Sequence, residues 1–295
     1  MVFNMSSRDE RHLKVLEKLV LLQSMLYQYW QENLKVEHNR QIYAKLAGVE
    51  QQLIRLLQAE NVRTNIHRLL NGSVLFARLL GFTFVTQWLM RKKERQINRL
   101  STSSNTQLLD RIEKIRALVI QEKELIDQLK ESRLDFVGAI ILGMNDALVE
   151  ITGSVAGFTL SMSNSFMIAI AGLIAGIAAS LSMAASEFMA ERSEGNIKKA
   201  ATAAIYTGFS YILTVILLVL PFFLMPNNQY MLALLVTVMI SVVIIFIFSY
   251  YMDVAKKIGF KQRFWEMVII CLGVSALTFF IGFVVKAYLG VGAGS

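Results

Sequence analysis

The stretch "FVGAIILGMNDALVEITGSVAGFTL" (residues 136–160) has the length and apolarity of a membrane span, yet Asn145, Asp146 and Glu150 sit in its middle. A spanning helix needs roughly 20 mostly apolar residues, and a carboxylate at the bilayer centre costs roughly 2.5–3.5 kcal/mol on insertion scales. Asp146 lies about 15 Å into the run at 1.5 Å per residue, close to mid-membrane. Glu150 follows four residues later, on the same helix face. That face cannot look at lipid; it must meet a partner, a water-filled cavity or a cation.

Four more apolar runs follow, at about 166–190, 203–225, 230–252 and 264–288, which with 136–161 makes five spans. The bulk numbers agree: 55% of the 295 residues are hydrophobic and the mean hydropathy is +0.48, too apolar for an ordinary soluble protein. The turns are short: "SMSNS" (161–165) joins the first two spans, and "PNNQ" (226–229) follows Pro221 at the loosened end of the third. Lys and Arg set the orientation. The 191–202 connection holds Arg192, Lys198 and Lys199, and the 253–263 connection holds Lys256, Lys257, Lys261 and Arg263; the other two connections have no basic residue. The basic connections are expected to face the cytosol, which leaves the C-terminus outside an integral protein of the cell membrane. Lys286 is the exception, near a helix end from which it can snorkel. "GSVAG" (153–157) and "GLIAG" (172–176) have the small-xxx-small spacing of close helix contacts, within the chain or at a dimer seam.

Charge divides the chain. Of the 30 basic residues 22 precede Asp135, as do 14 of the 22 acidic ones, so the first part carries a surplus of eight positive charges and the rest none. This predicts two domains, 1–134 and 135–295. The basic charge is scattered and mixed with acid, without a reading motif for nucleic acid, and suits an anionic cytoplasmic leaflet better. Cys271, the single cysteine, lies in an apolar run and excludes an intramolecular disulfide or a cysteine-based metal site. The N-terminus runs directly into a charged helical pattern, so no cleavable signal peptide is expected.

The second span ends in "SMAASEFMAERSE" (182–194). Met183, Glu187 and Glu191 repeat at four-residue spacing, and Glu194 follows by an i+3 step. A tight turn makes the first two spans antiparallel, with Met183 toward the cytosolic end below Asp146 and with Glu187 and Glu191 at the mouth. Asn145, Asp146, Glu150, Met183, Glu187 and Glu191 are therefore the candidate metal-contacting residues. Carboxylate oxygens suit Mg²⁺, Mn²⁺ and Fe²⁺, and a thioether tilts the choice toward a transition metal. No His or Cys is placed to ligate in this path, so a weak, transient site is expected, with no permanently bound cofactor. Carboxylates also take protons, and competition between metal and proton is the minimum an exchanger requires. The bland readings are an Asp146 tied off by Asn145 and backbone groups, a Met183 that only packs, and Glu187, Glu191 and Glu194 as solvated charge.

"LGMNDALVEITGSVAGFTL" (142–160) and "AGLIAGIAASLSMAASEFMAERSE" (171–194) closely resemble the first two spanning helices of the vacuolar iron transporter family. The five spans and "PFFLMP" (221–226) also fit, so the resemblance covers about 136–290. It implies a homodimer with a cytosolic N-terminus that moves Fe²⁺, sometimes Mn²⁺, out of the cytosol by exchange with protons. It further implies that Asp146 and Met183 line the path, with Glu187 as the acidic residue that follows. The long Glu-rich cytosolic insertion of eukaryotic members is replaced here by about a dozen residues.

Residues 9–134 show apolar positions at 3–4 spacing, which predicts helices at about 9–34, 36–69, 72–99 and 106–132, with "STSSNT" (101–106) as the clearest loop. The pattern resembles a rubrerythrin-like, ferritin-type bundle placed before an iron-transporter half. Di-iron bundles take Glu from two helices and Glu-x-x-His from the other two. In "KLAGVEQQLIRLL" (45–57) and "VIQEKELIDQL" (119–129) Glu50 and Glu122 remain, but Leu53 and Leu125 stand at the histidine positions and Arg91 is read as standing at the third-helix glutamate position. His12, His38 and His67 are not at Glu-x-x-His spacing. No di-iron centre and no ferroxidase activity are expected. The run 72–90, charged only at Arg78, is read as a buried or membrane-apposed bundle helix in preference to a sixth span.

The expected fold is thus all-α: a cytosolic four-helix, ferritin-like bundle followed by a five-helix transmembrane domain. The expected function is export of Fe²⁺ or Mn²⁺ against protons, with no enzymatic activity. The alternative is a non-transporting membrane scaffold whose bundle binds a partner.

Overall fold

The structure, a computed structural model, describes residues 7–57, 66–103, 105–131, 136–193 and 195–289. Among them the chain is 91% helical, with ten α-helices, one 3-10 turn (Asn227–Gln229) and no strand. It divides into two compact units, residues 1–131 and 132–295. The boundary expected at 134 falls on residues outside those described, as does Glu194.

The first unit holds α1 (Ser7–Asn33), α2 (Glu37–Leu57), α3 (Ile66–Leu80), α4 (Phe82–Leu100) and α5 (Thr106–Ile126). The sequence predicted four helices here, and among the described residues two of those predictions need correction, at 72–99 and at 106–132. Of the helix expected at 36–69, residues 37–57 and 66–69 are helical, and residues 58–65 lie outside the described set. The helix expected at 72–99 is broken at Gly81, whose φ of +96° is open to glycine but strained for other residues. The break leaves α3 with 15 described residues, and among the described residues no helix of this unit is long and apolar enough to span a bilayer. The helix expected at 106–132 ends at Ile126.

α1, α2, α5 and α4 form a ring in which each packs against the next, and α3 lies against α1 and α4. His12 of α1 meets Gln96 of α4 at 2.9 Å, and the Trp30 and Phe82 rings lie 6.1 Å apart, so α1 and α4 run antiparallel. Tyr43 near the start of α2 shares a 2.9 Å hydrogen bond with Thr86 near the start of α4, so those two run parallel. The topology is therefore up-down-down-up, with the long crossover from α2 to α4 carrying α3. Local chemistry sets the ends. The Asn105 side chain accepts from the backbone N–H groups of Gln107 and Leu108 and caps α5. The free N–H of Thr83 in the first turn of α4 is taken by Glu131, which follows α5, at 3.0 Å. Asn39 of α2 pins the same stretch through two bonds to the Lys130 backbone, at 2.6 and 3.0 Å.

The second unit holds α6 (Val137–Met162), α7 (Ser165–Ser193), α8 (Ile197–Leu224), α9 (Tyr230–Lys256) and α10 (Phe260–Leu289). All five spans are long and apolar enough to cross a membrane. The third and fifth begin earlier than predicted, because Asn196 caps α8 by accepting from Lys199 N–H and because α10 extends its charged first turn back to Phe260. Ser163 in left-handed conformation ends α6, and the Asn164 side chain accepts from Met167 N–H to start α7. Lys286, near the end of α10, donates to Ser163 at 3.2 Å in that same turn.

α6 packs against all four of the other spans. Its mean hydropathy is 1.3, the lowest of the five; that of α9 is 3.1. A helix shielded by its neighbours can carry polar residues that a lipid-facing one cannot. The glycines act inside the chain. Gly153 and Gly157 admit Val274 and Thr278 of α10, while Gly172 and Gly176 admit Val219 and Val215 of α8. Gly143 is the tightest point: a Cβ there would overlap the Thr207 carbonyl oxygen of α8. Thr207 and Ser210 hydroxyls donate to the Ala139 and Ile140 carbonyls at 3.1 Å and hold that approach.

Candidate metal path and bundle interior

One turn past the Gly143 contact, the polar residues of α6 come to a cleft of about 410 Å³ lined by Gly138, Ile141, Leu142, Asn145, Asp146 and Val149 of α6, Met183 of α7 and Met267 of α10. Asn145, Asp146 and Met183 therefore share one wall-lined space. Met183 and Met267 also pack on the apolar core of the unit, so each thioether is held on one side and open on the other. Among the described residues, no donor pairs with the Asp146 carboxylate.

The remaining candidates are placed elsewhere. Glu150 does not line the cleft; its Oε2 accepts from the Tyr211 hydroxyl of α8 at 2.5 Å, and Tyr211 is fully buried. Glu187 lies one turn beyond Met183, outside the lining set. Glu191 forms an ion pair with Lys199 of α8 at 2.8 Å. Among the described residues no three of His, Cys, Asp or Glu converge on a point where they could cage a metal. The cleft offers one carboxylate, one side-chain amide and two thioethers. Such a donor set suits brief contact with a borderline-soft divalent ion and not permanent ligation. Sequence reasoning missed Met267 and Tyr211. No spacing rule links them to α6, because only the packing of α8 and α10 around it does so.

The bundle of the first unit has its own buried polar cluster. Glu50 of α2 and Glu122 of α5, both fully buried, meet the Lys93 ammonium of α4, which is fully buried too. Lys93 donates to Glu50 Oε1 and, at 2.7 Å, to Glu122 Oε2. From α1, Tyr27 and Gln23 donate to Glu122 Oε1 at 2.8 and 3.2 Å. Arg91 is not the residue at the inward third-helix position; Lys93 is. The stripe Thr86, Leu89, Met90, Lys93, Ile97, Leu100 keeps the 3–4 spacing of a buried face, and Arg91 falls off it. Three cations in a row in "RKKER" hid that register.

These residues do not fit a dinuclear metal centre. An ammonium occupies the space between the two carboxylates, Gln23 stands where α1 would supply a carboxylate, and Leu53 and Leu125 bring no lone pair. Burial and the neighbouring Glu122 carboxylate push the Glu50 pKa well above its usual range. Burial pulls the Lys93 pKa down, but Glu122 and Glu50 outweigh it and hold the ammonium above its ordinary value. The physical sense is charge balance: a dry interior with two carboxylates and one ammonium is neutral when Glu50 keeps its proton.

Residues 137–202, which carry Asn145, Asp146, Glu150 and Met183, match the model of the VIT family. The match lies wholly in the second unit, spans α6, α7 and the start of α8, and points to a membrane metal-ion transporter. No curated protein and no solved structure matches the chain.

Proposed function

We propose that this chain exports Fe²⁺ or Mn²⁺ from the cytosol across the cell membrane, in exchange for protons, along the cleft of Asn145, Asp146 and Met183. The observation that carries this reading is an intramembrane carboxylate without a donor among the described residues, lining a cleft beside a thioether, in the least apolar of the five spans. A travelling cation supplies the charge that Asp146 lacks, and a proton takes its place when the metal leaves. The thioethers favour a transition metal over Mg²⁺ or Ca²⁺. Glu150, Glu187 and Glu191 act at the edges of the path as electrostatic guides, Glu150 through Tyr211 and Glu191 against Lys199. The basic connections support a cytosolic bundle and an outside C-terminus. The intramembrane Glu150, exposed in the single chain, supports a second copy of the chain as its cover, hence a homodimer.

For the first unit, the up-down-down-up topology with one long crossover supports a ferritin-like bundle in which Lys93 has replaced the metal, leaving no ferroxidase chemistry. The scaffold alternative draws support at one residue, Glu150, which has a donor in Tyr211. Purified protein in liposomes loaded with a metal-sensitive dye tests the choice. Entry of Fe²⁺ or Mn²⁺ accompanied by opposite proton movement is expected. Failure of both ions to cross refutes transport, and flux indifferent to a pH gradient refutes exchange.

A further inference from the structure

α3 is the helix of the first unit that the bundle leaves half unpartnered. It packs on α1 and α4 and buries Ile66 and Ala77, while Leu69, Leu75 and Phe76 are exposed, the last two at 59% and 57%. On a 100° wheel the exposed apolar residues share an outward sector with Gly72 and Arg68. The described length of α3 carries His67, Arg68 and Arg78 and no acidic residue. Large apolar side chains beside basic ones, without acid, are the composition of a helix lying in a membrane interface.

The place of α3 in the chain says which surface it meets. Gly81 follows its last residue, and a Cβ on Gly81 would touch the Glu131 carboxylate at 2.7 Å. Glu131 is held there by Thr83 N–H, and only residues 132–136 separate it from Val137, where the first span begins. The residue that Gly81 approaches is thus six positions in sequence from a helix long and apolar enough to cross a membrane. The surplus of positive charge in this part of the chain fits an anionic leaflet.

We propose that α3 is an interfacial helix that docks on acidic phospholipid, with Leu69, Leu75 and Phe76 at the acyl boundary and Arg68 and His67 among the headgroups. The Gly81 break serves this role, because it lets α3 leave the line of α4 and present a face of its own. The claim does not depend on transport. It is tested on the full chain carrying Cys271→Ala and Phe76→Cys, labelled with bimane at position 76, in nanodiscs containing lipid spin-labelled at a shallow acyl carbon. With phosphatidylglycerol present, at least about twofold quenching is expected, since an interfacial helix sinks its apolar face about 5–10 Å. Arg68→Glu, or omission of the anionic lipid, is expected to weaken it, and a label at Ile120→Cys on α5, which does not pack on α3, is expected to stay unquenched. Equal signals at positions 76 and 120, or quenching indifferent to both lipid charge and Arg68→Glu, overturns the proposal. So does a position-76 label already shielded in lipid-free detergent, which would mean a second copy of the chain covers α3.

Discussion

Inside the bundle, two carboxylates and one ammonium meet without solvent, and the balance of charge decides how each behaves. Removing one partner of a buried ion pair costs about 3–5 kcal/mol, because the other is left uncompensated. Lys93→Met is therefore expected to lower the melting temperature of the full chain in detergent sharply, as followed by Trp30 and Trp88 fluorescence. Glu50→Gln replaces a protonated acid by an amide of the same shape and is expected to cost about 1 kcal/mol or less. The pH dependence has a definite sign. Glu50 is raised in the folded state, so its contribution is complete below its ordinary value near 4.5 and is lost as pH rises through the raised folded value. The raised Lys93 contributes with the same sign but at alkaline pH, above its ordinary 10.5. Melting temperatures measured from acid to mildly alkaline pH should fall more steeply for wild type than for Glu50→Gln. Parallel curves would mean Glu50 is not the proton holder.

At the scale of helices, the close approach of α6 to α8 positions the polar turn of α6. Gly143→Val would drive a side chain into the Thr207 backbone, and overpacking of this kind typically costs about 1–3 kcal/mol. Loss of folded protein by size-exclusion chromatography is the expected outcome for Gly143→Val, whereas Gly138→Ala, where a Cβ meets open space, should be tolerated. Equal yields for both would remove the close contact as a determinant. The spans were legible because hydropathy over 20 residues is a strong, local signal; the first was expected at 136–161 and is found at 137–162. The bundle was harder to read. The break at Gly81 sits inside the unbroken apolar run "LLGFTF", where a lone glycine is compatible with a continuing helix until its backbone is seen with φ of +96°. Lys93 was misassigned by two residues because a buried lysine runs against expectation, although the 3–4 stripe already pointed at it.

Across the whole molecule, the second unit surrounds one comparatively polar helix with four more apolar neighbours, and the site follows from that arrangement. The sequence placed Asn145, Asp146 and Met183 together through helix spacing and an antiparallel turn. It could not show that Glu150 turns to Tyr211, that Glu191 pairs with Lys199, or that Met267 enters from α10, since each depends on packing between helices distant in sequence. The two thioethers carry a prediction about ion preference. Met183→Leu keeps the volume but removes a soft donor, so inhibition of Mn²⁺ flux by Cd²⁺ is expected to weaken by about tenfold or less, while Mg²⁺ competition is unchanged. An identical loss for both competitors would assign Met183 to packing alone.

The most direct test is metal entry into liposomes holding equal amounts of wild type and Asp146→Ala, each verified as folded. An intramembrane carboxylate that meets the passing ion predicts flux in wild type and background rates in the variant. Flux through Asp146→Ala at the wild-type rate would contradict it, and with it the cleft of α6, α7 and α10 as the path.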